Sequence, residues 1–224
     1  MKYLDDEEGR LVEGRQRFRR DLASWLPATG GRVLEIGCAT GSLLAAIREA
    51  GHAVMGVDLS ARFAEAARAR YQVDVRFGDI LSLALGASDF DLIVMLGTLA
   101  NLPNLPAVFH RCHAMLKPAG VLVCNFPVAD ALVARLYRRR YWMFAPSVNT
   151  FLTQTGCVRA LDHGGFRVER MATDRQMPTF RKLFHHARLE SLVTLVESCG
   201  IGGKALPLPI PIPGVKLVHA RSVS

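Results

Sequence analysis

No apolar run in this chain reaches the roughly 18 residues that a membrane-spanning helix needs, because Gly, Pro or Asp interrupts each one first. A transmembrane segment is therefore not expected. Paired cysteines are missing as well. Cys38, Cys112, Cys124, Cys157 and Cys199 are odd in number, far apart and without a CxxC pair, which argues against a disulfide framework and against a zinc site. They read as reduced core residues, and no metal is expected. Met1-Lys-Tyr-Leu-Asp-Asp-Glu-Glu8 offers neither the apolar core nor the small-residue cleavage site of a secretory signal, so the expected location is cytoplasmic. No internal repeat and no low-complexity tail occurs.

What remains is a chain of 224 residues, half of them hydrophobic, enough to bury the core of one α/β domain over residues 1–224. The formal net charge of +8 raises the question of a nucleic-acid partner, since clustered cations attract phosphate. Much of that excess is arginine spread along amphipathic helices, which makes a nucleic acid the less favoured partner.

Leu11, Phe18, Leu22 and Trp25 recur at helical spacing with Arg15, Arg17, Arg19 and Arg20 between them. This predicts an amphipathic helix ending near Pro27, part of an N-terminal helical cap over residues 1–30. After the break at 29–31, strands are expected at 32–36 and 53–58 and helices at 42–50 and 61–71, an alternation that implies a parallel sheet. Strands at 73–77, 90–96 and 121–126 and a helix at 105–116 continue it, with Lys117-Pro-Ala-Gly120 as the last turn. The strands at 90–96 and 121–126 are nearly continuous apolar runs, as required when helices cover both faces. Further on, helices are expected at 130–140, 151–163 and 180–199, an aromatic cluster at Tyr141-Trp-Met-Phe144, and a strand at 166–171. The proline-rich 206–213 must be extended, and a strand at 215–220 closes the sheet.

A glycine-rich turn between a buried strand and a helix admits a ligand close to the backbone and to the helix's unpaired N–H groups. Gly37 and Gly41 stand at such a turn. The GxGxxG fingerprint of nicotinamide dehydrogenases is absent, because Ala39 and Ser42 occupy its second and third glycine positions.

Glu35-Ile-Gly-Cys-Ala-Thr-Gly41 instead resembles motif I of class I S-adenosylmethionine (SAM)-dependent methyltransferases, an acidic residue followed by GxGxG, with Ala39 for the middle glycine. Ala39 fits there if its φ is negative. The family's acidic residue after the second strand matches Asp58, 17 residues beyond Gly41; its carboxylate would accept both ribose hydroxyls. Capping of the next helix is the alternative role for Asp58, one that Ser60 would fill equally well. Gly78-Asp79-Ile80 resembles the adenine-contacting element, Phe90-Asp-Leu-Ile-Val94 the motif IV strand, and Leu116-Lys-Pro-Ala-Gly120 the common L-K-P-G-G turn. The turn at Leu96-Gly-Thr-Leu-Ala-Asn-Leu102 occupies the place from which the family borders the methyl group. The resemblance is closest over 32–126. Farther on, 146–153 and 164–168 resemble the small-molecule, ubiquinone-biosynthesis-like group, with Ser147 and Val148 replacing its Glu and His.

The resemblance implies a Rossmann-like three-layer α/β sandwich: a seven-stranded, mostly parallel sheet with an antiparallel last strand, plus helical cap segments. It implies SAM as cofactor, S-adenosylhomocysteine (SAH) as product, and a pocket built by Glu35, Gly37, Cys38, Ala39, Gly41, Asp58, Leu59, Gly78, Asp79, Ile80, Leu96 and Gly97. The acceptor implied is a small or lipid-like molecule, methylated by in-line displacement. Such a transfer asks mainly for positioning and exclusion of water, and a base is needed only where the acceptor must lose a proton. None is nominated: His110 and His113 lie at a helix end, and the adjacent His185 and His186 point in two directions. Residues 127–165, with Arg138-Arg-Arg140 beside Tyr141 and Trp142, form the candidate acceptor-side lid, although a solvated helix face explains the same charges. A nucleic-acid methyltransferase is disfavoured because Leu96-Gly-Thr-Leu99 replaces the N/D-P-P-Y-type tetrapeptide; SAM binding without turnover is the third reading. The chain is expected to act as a monomer or a homodimer.

Overall fold

The computed structural model describes residues 7–137, 148–176 and 209–223, with residues 192, 194–195 and 198–200. The Tyr141–Trp142 cluster, His185, His186 and most of the expected 180–199 helix lie outside the described residues.

Seven strands form one sheet: β1 (Arg32–Ile36), β2 (Ala53–Asp58), β3 (Asp74–Phe77), β4 (Phe90–Met95), β5 (Leu116–Pro127), β6 (Phe166–Gln176) and β7 (Ile210–Ser222). Their order is β3-β2-β1-β4-β5-β7-β6, with β7 inserted antiparallel between β5 and β6. β1 and β4 run parallel, but strands are added outward from β1 in one direction and from β4 in the other, and crevices open at such a switch point beyond the carboxyl ends of the strands.

The apolar runs of β4 and β5 feed two cores at once. Leu92 and Val94 pack with Val33, Val121 and Val123 against Phe18 and Leu22 and against Leu43 and Ile47 of α2 (Ser42–Glu49). Ile93 and Met95 face the other way, with Leu122, Cys124 and Phe126, toward Phe109 of α4 (Leu105–Met115) and Leu161 of α6 (Gln154–His163). Burial of each large apolar side chain contributes about 2–3 kcal/mol, so both faces are strongly held. Ala64 and Ala67 of α3 (Ala61–Tyr71) join Cys38, Leu44, Val73 and Val75 in a third cluster beneath the glycine-rich loop.

The N-terminal segment is less uniform than its spacing predicts. Helix α1 (Glu7–Arg17) passes into a π-helical turn at Phe18–Leu22, closed by Ala23 N–H on the Phe18 carbonyl, and then a 3₁₀ turn at Ala23–Trp25. Phe18 and Leu22 are both buried by this arrangement. Gly14 lies against the Ser42 backbone, where an added Cβ would approach the Ser42 carbonyl oxygen to 3.0 Å. Several of the arginines are tied down: Arg15 pairs with Glu49, Arg17 with Asp21 and Asp174, and Arg20 with Asp21. Trp25 stacks on His219 of β7, ring centroids 5.0 Å apart, and the Arg221 guanidinium lies 5.7 Å from the Trp25 ring.

Three expectations are corrected. Lys117-Pro-Ala-Gly120 is no separate turn but an irregularity inside β5, where pairing with β4 shifts from Phe90–Leu116 to Leu92–Val121 and Ala119 takes φ +60°. Strand β6 runs to Gln176 rather than Met171, because β7 begins at Ile210 and supplies partners for the extra residues. Cys199 is exposed; Cys38, Cys112, Cys124 and Cys157 are buried, and burial pushes the Cys112 and Cys157 thiols up to about 12. The helix expected at 130–140 is described as α5 (Leu132–Tyr137).

Candidate cofactor-binding site

Strand β1 ends at Ile36, and the loop to α2 must turn back at once. Gly37 takes φ +76° and Gly41 φ +77°, conformations that favour glycine. Gly37 has a second constraint, since an added Cβ would overlap the Thr98 hydroxyl. Ala39 does not take the negative φ expected of it: its φ is +46°. The loop holds it there through the Ala39 N–H, which donates to Asp58 Oδ2 at 2.8 Å, and through the Gly41 N–H, which donates to the Cys38 carbonyl at 2.9 Å.

Asp58 closes β2. Its Oδ1 accepts from the Ser60 N–H at 2.8 Å, while Ser60 itself caps α3 by accepting from the Phe63 N–H. Each carboxylate oxygen thus spends one lone pair on the backbone and keeps the other for a ligand. Around this carboxylate lies a cavity of about 470 Å³ lined by Gly37, Ala39, Asp58, Leu59, Ser60, Phe63, Gly78, Asp79, Ile80, Gly97, Thr98, Asn101 and Leu102, among others. Eight of the twelve residues expected from sequence meet in it: Gly37, Ala39, Asp58, Leu59, Gly78, Asp79, Ile80 and Gly97.

The cavity walls differ in character. Asp79 is exposed and its Oδ1 accepts from the Leu81 N–H at 3.0 Å, whereas Ile80 is buried beneath it. Leu59 is 68% exposed, a large apolar side chain at the cavity with nothing covering it. The space above Gly97 is open, with no atom within 4 Å of where a Cβ would stand.

Glu35 and Leu96 line a second, smaller cavity instead, about 170 Å³, together with Arg10, Gly14, Arg17, Ser42 and Arg175. The two cavities are neighbours along the chain, Glu35 beside Ile36 and Gly37, Leu96 beside Gly97. Glu35 is buried with its Oε2 unbonded, and burial, reinforced by the Asp58 charge, raises its pKa well above the usual carboxyl range. Cys38 and Gly41 line neither cavity: Cys38 is packed under the loop, and Gly41 lies against Ala67 and Val73. Among the described residues no group of three or more His, Cys, Asp or Glu is arranged to hold a metal ion.

The sequence family described as a methyltransferase domain matches residues 7–171. The chain belongs to that family. Its class I methyltransferase fold is shared with a SAM-dependent methyltransferase from Mesorhizobium loti (TM-score 0.61, 23% identity, 88% of this chain and 94% of that one). One from Archaeoglobus fulgidus has TM-score 0.67 and 17% identity, covering 99% and 100%. In sequence, the chain is 31% identical over 113 residues to a ubiquinone biosynthesis O-methyltransferase of Cereibacter sphaeroides, covering 48% of this chain and 46% of the relative. It is 33% identical over 129 residues to a demethylmenaquinone methyltransferase of Tropheryma whipplei, covering 54% and 53%. The chain thus spans about half the length of the curated relatives it matches.

Sequence reasoning missed Val57, Ser60 and Phe63 as cavity residues and reached Thr98, Asn101 and Leu102 only as members of the 96–102 turn. Phe63 stands in the first turn of α3, five residues after Asp58, so its position had a signal. Asn101 Nδ2 donates to the Gly97 carbonyl at 3.3 Å, a local bond that spacing alone does not announce.

Proposed function

We propose that this protein transfers a methyl group from SAM to a small, quinone-like or lipid-like acceptor. The observation that carries the reading is the Asp58 carboxylate, fixed by two backbone N–H groups at the edge of a cavity that Gly37 and Gly97 leave open. When bound, SAM supplies a sulfonium-activated methyl that an acceptor lone pair takes in line, with the carbon–sulfur electron pair leaving to sulfur. The residues present fit that group. Asp58 would accept the ribose hydroxyls and Asp79 the adenine amine, with Leu59 and Ile80 as the apolar surface for the ring. Glu35, with its unbonded buried oxygen, lines the neighbouring cavity and would take the cationic end of the donor as its partner. The volume of about 470 Å³ lies in the range of small-ligand pockets.

The acceptor class rests on the quinone methyltransferases that the chain resembles. Residues 149–150 support placing the acceptor-side lid within 127–165. The Asn149 and Thr150 N–H groups donate to the Ala100 carbonyl, and Thr150 Oγ1 donates to the Leu102 carbonyl, beside the cavity. No helix among the described residues is long and apolar enough to cross a membrane.

Calorimetric titration with SAM and SAH tests the proposal. Both are expected to bind with micromolar or tighter affinity. Asp58→Ala is expected to weaken them by roughly 10- to 100-fold, the worth of hydrogen bonds to a charged group. Absence of binding by the native chain sinks the reading.

A further inference from the structure

Strand β6 carries one fully buried polar residue, Asp174, at a shift in register: Thr173 pairs with Lys216 and Arg175 with Pro211, so Asp174 falls in the irregularity between them. Bulges of this kind turn a side chain out of its alternation and cluster beside active sites. Asp174 uses the freedom to accept four hydrogen bonds. Arg17 donates twice, Nη1 to Oδ1 at 2.6 Å and Nη2 to Oδ2 at 3.2 Å; the Arg175 N–H donates to Oδ1 at 2.7 Å; and Asn125 Nδ2 donates to Oδ2 at 2.7 Å.

Asn125 stands on β5, across β7 from Asp174. Its other end, Oδ1, accepts from the Gly97 N–H at 2.6 Å. The amide orientation is forced, because Gly97 N–H only donates and the Asp174 carboxylate only accepts. Aspartate at 125 would offer Asp174 no proton, and leucine would leave both neighbours unserved. Gly97 borders both the cavity and Thr98, whose hydroxyl fills the space directly over Gly37. Four residues from four separate stretches of chain therefore end in one hydrogen-bonded line, Arg17 to Asp174 to Asn125 to the Gly97 amide.

We propose that Asn125 and Asp174 are positioning residues: through this line they set the Gly97–Thr98 turn against Gly37, and Arg17 couples that setting to docking of the N-terminal segment. The proposal rests on the donor-binding reading of the cavity. Nothing in it requires either side chain to touch the ligand. It explains why a fully buried carboxylate is kept at an edge strand, where an apolar residue would satisfy packing alone.

The test is carried out on the full chain, with SAH binding followed by calorimetry and exchange of the Gly97 amide by NMR. In the native protein that amide is expected to exchange slowly. Asn125→Leu is expected to abolish the protection and weaken SAH about tenfold, with a larger fall in turnover, on the order of 10²-fold, because misplacement by an ångström acts chiefly on the reacting geometry. Asn125→Asp gives the distinguishing result. Its carboxylate faces that of Asp174, with the Arg17 guanidinium, the Asp21 carboxylate and the Arg175 N–H around the pair. One proton shared between two adjacent carboxyls rebuilds the missing donor, so the variant's affinity relative to the native protein is expected to recover as pH falls from about 8 to about 5.

An asparagine that only holds the fold together gives parallel pH profiles for variant and native chain, and that outcome overturns the proposal. So does a folded Asn125→Leu protein with native SAH affinity. If Asn125→Leu does not fold, Asn125→Asp decides the matter. If the native chain fails to bind SAH, the donor reading fails instead. Loss of Gly97 protection in the variants would still report the hydrogen-bonded line.

Discussion

A methyl group at position 39 sits on a left-handed backbone, φ +46°, that glycine adopts without penalty. The left-handed conformation costs an alanine roughly 1–2 kcal/mol, against roughly 0.4–1 kcal/mol that glycine loses through a freer unfolded chain. Ala39→Gly is therefore expected to stabilise the protein by about 0.8 kcal/mol. A thermal melt would show a rise of about 2–3 °C; a fall would mean that the methyl makes contacts worth more than the strain. Gly37→Ala should do the opposite and abolish SAH binding, since its Cβ overlaps Thr98. Glu35 makes a prediction in pH. Its folded pKa is raised by burial and by the Asp58 charge, so the unfolded carboxyl ionises first on going up in pH. That contribution to stability is complete below the ordinary carboxyl range and is lost as pH rises through the folded value. Glu35→Gln lacks this loss, so its melting temperature relative to the native chain should climb from pH 4 to pH 8; a constant difference would show that Glu35 ionises normally. Ala39 and Glu35 also mark a boundary of legibility. The motif was readable in the sequence, whereas the sign of φ at Ala39 depends on the Asp58 oxygen 2.8 Å from its N–H.

Helix α1 meets α2 at Gly14, where backbone approaches backbone. Gly14→Leu is expected to cost about 1–3 kcal/mol as an overpacked contact and to weaken SAH by tilting the start of α2, which carries the Gly37–Gly41 loop. Thr153→Ala provides the contrast. Thr153 caps α6 by accepting from the Gly156 N–H at 2.9 Å, so its loss should cost about 1 kcal/mol and leave SAH affinity unchanged in calorimetry. β1, β2 and β4 were legible because each is a short, mostly apolar run bounded by Gly or Asp, and α2, α3 and α4 because their apolar residues recur at helical spacing. The early start of β5 was not, since Lys117-Pro-Ala-Gly120 has the composition of a turn and becomes strand only by pairing with Phe90. Nor was the far end of β6, which depends on β7 arriving about 35 residues later in the chain to pair with it. Arg17, Asn125 and Asp174 were invisible as a group for the same reason: nothing local joins positions so far apart in sequence.

At the scale of the whole molecule, a ligand that binds only the folded state stabilises all of it. Saturation with SAH at about 100 times its dissociation constant contributes about 2.7 kcal/mol, which for a chain of 224 residues raises the melting temperature by roughly 5–10 °C. No rise at that saturation contradicts the donor site. The sheet makes such coupling natural, because β1, β2, β3 and β4 all end at the cavity while β5 and β6 reach it through Asn125 and Asp174. The stack of Trp25 on His219 gives the same architecture an optical voice. Burial lowers the His219 pKa, so the ring beside the indole is neutral at neutral pH and gains a proton only on acidification. A protonated imidazole quenches indole emission. The fluorescence of Trp25, read in a Trp142→Phe background, should dim as His219 titrates and should brighten and shift to the red if the N-terminal segment lifts from β7, a colour signal for the state of the cap that needs no added label.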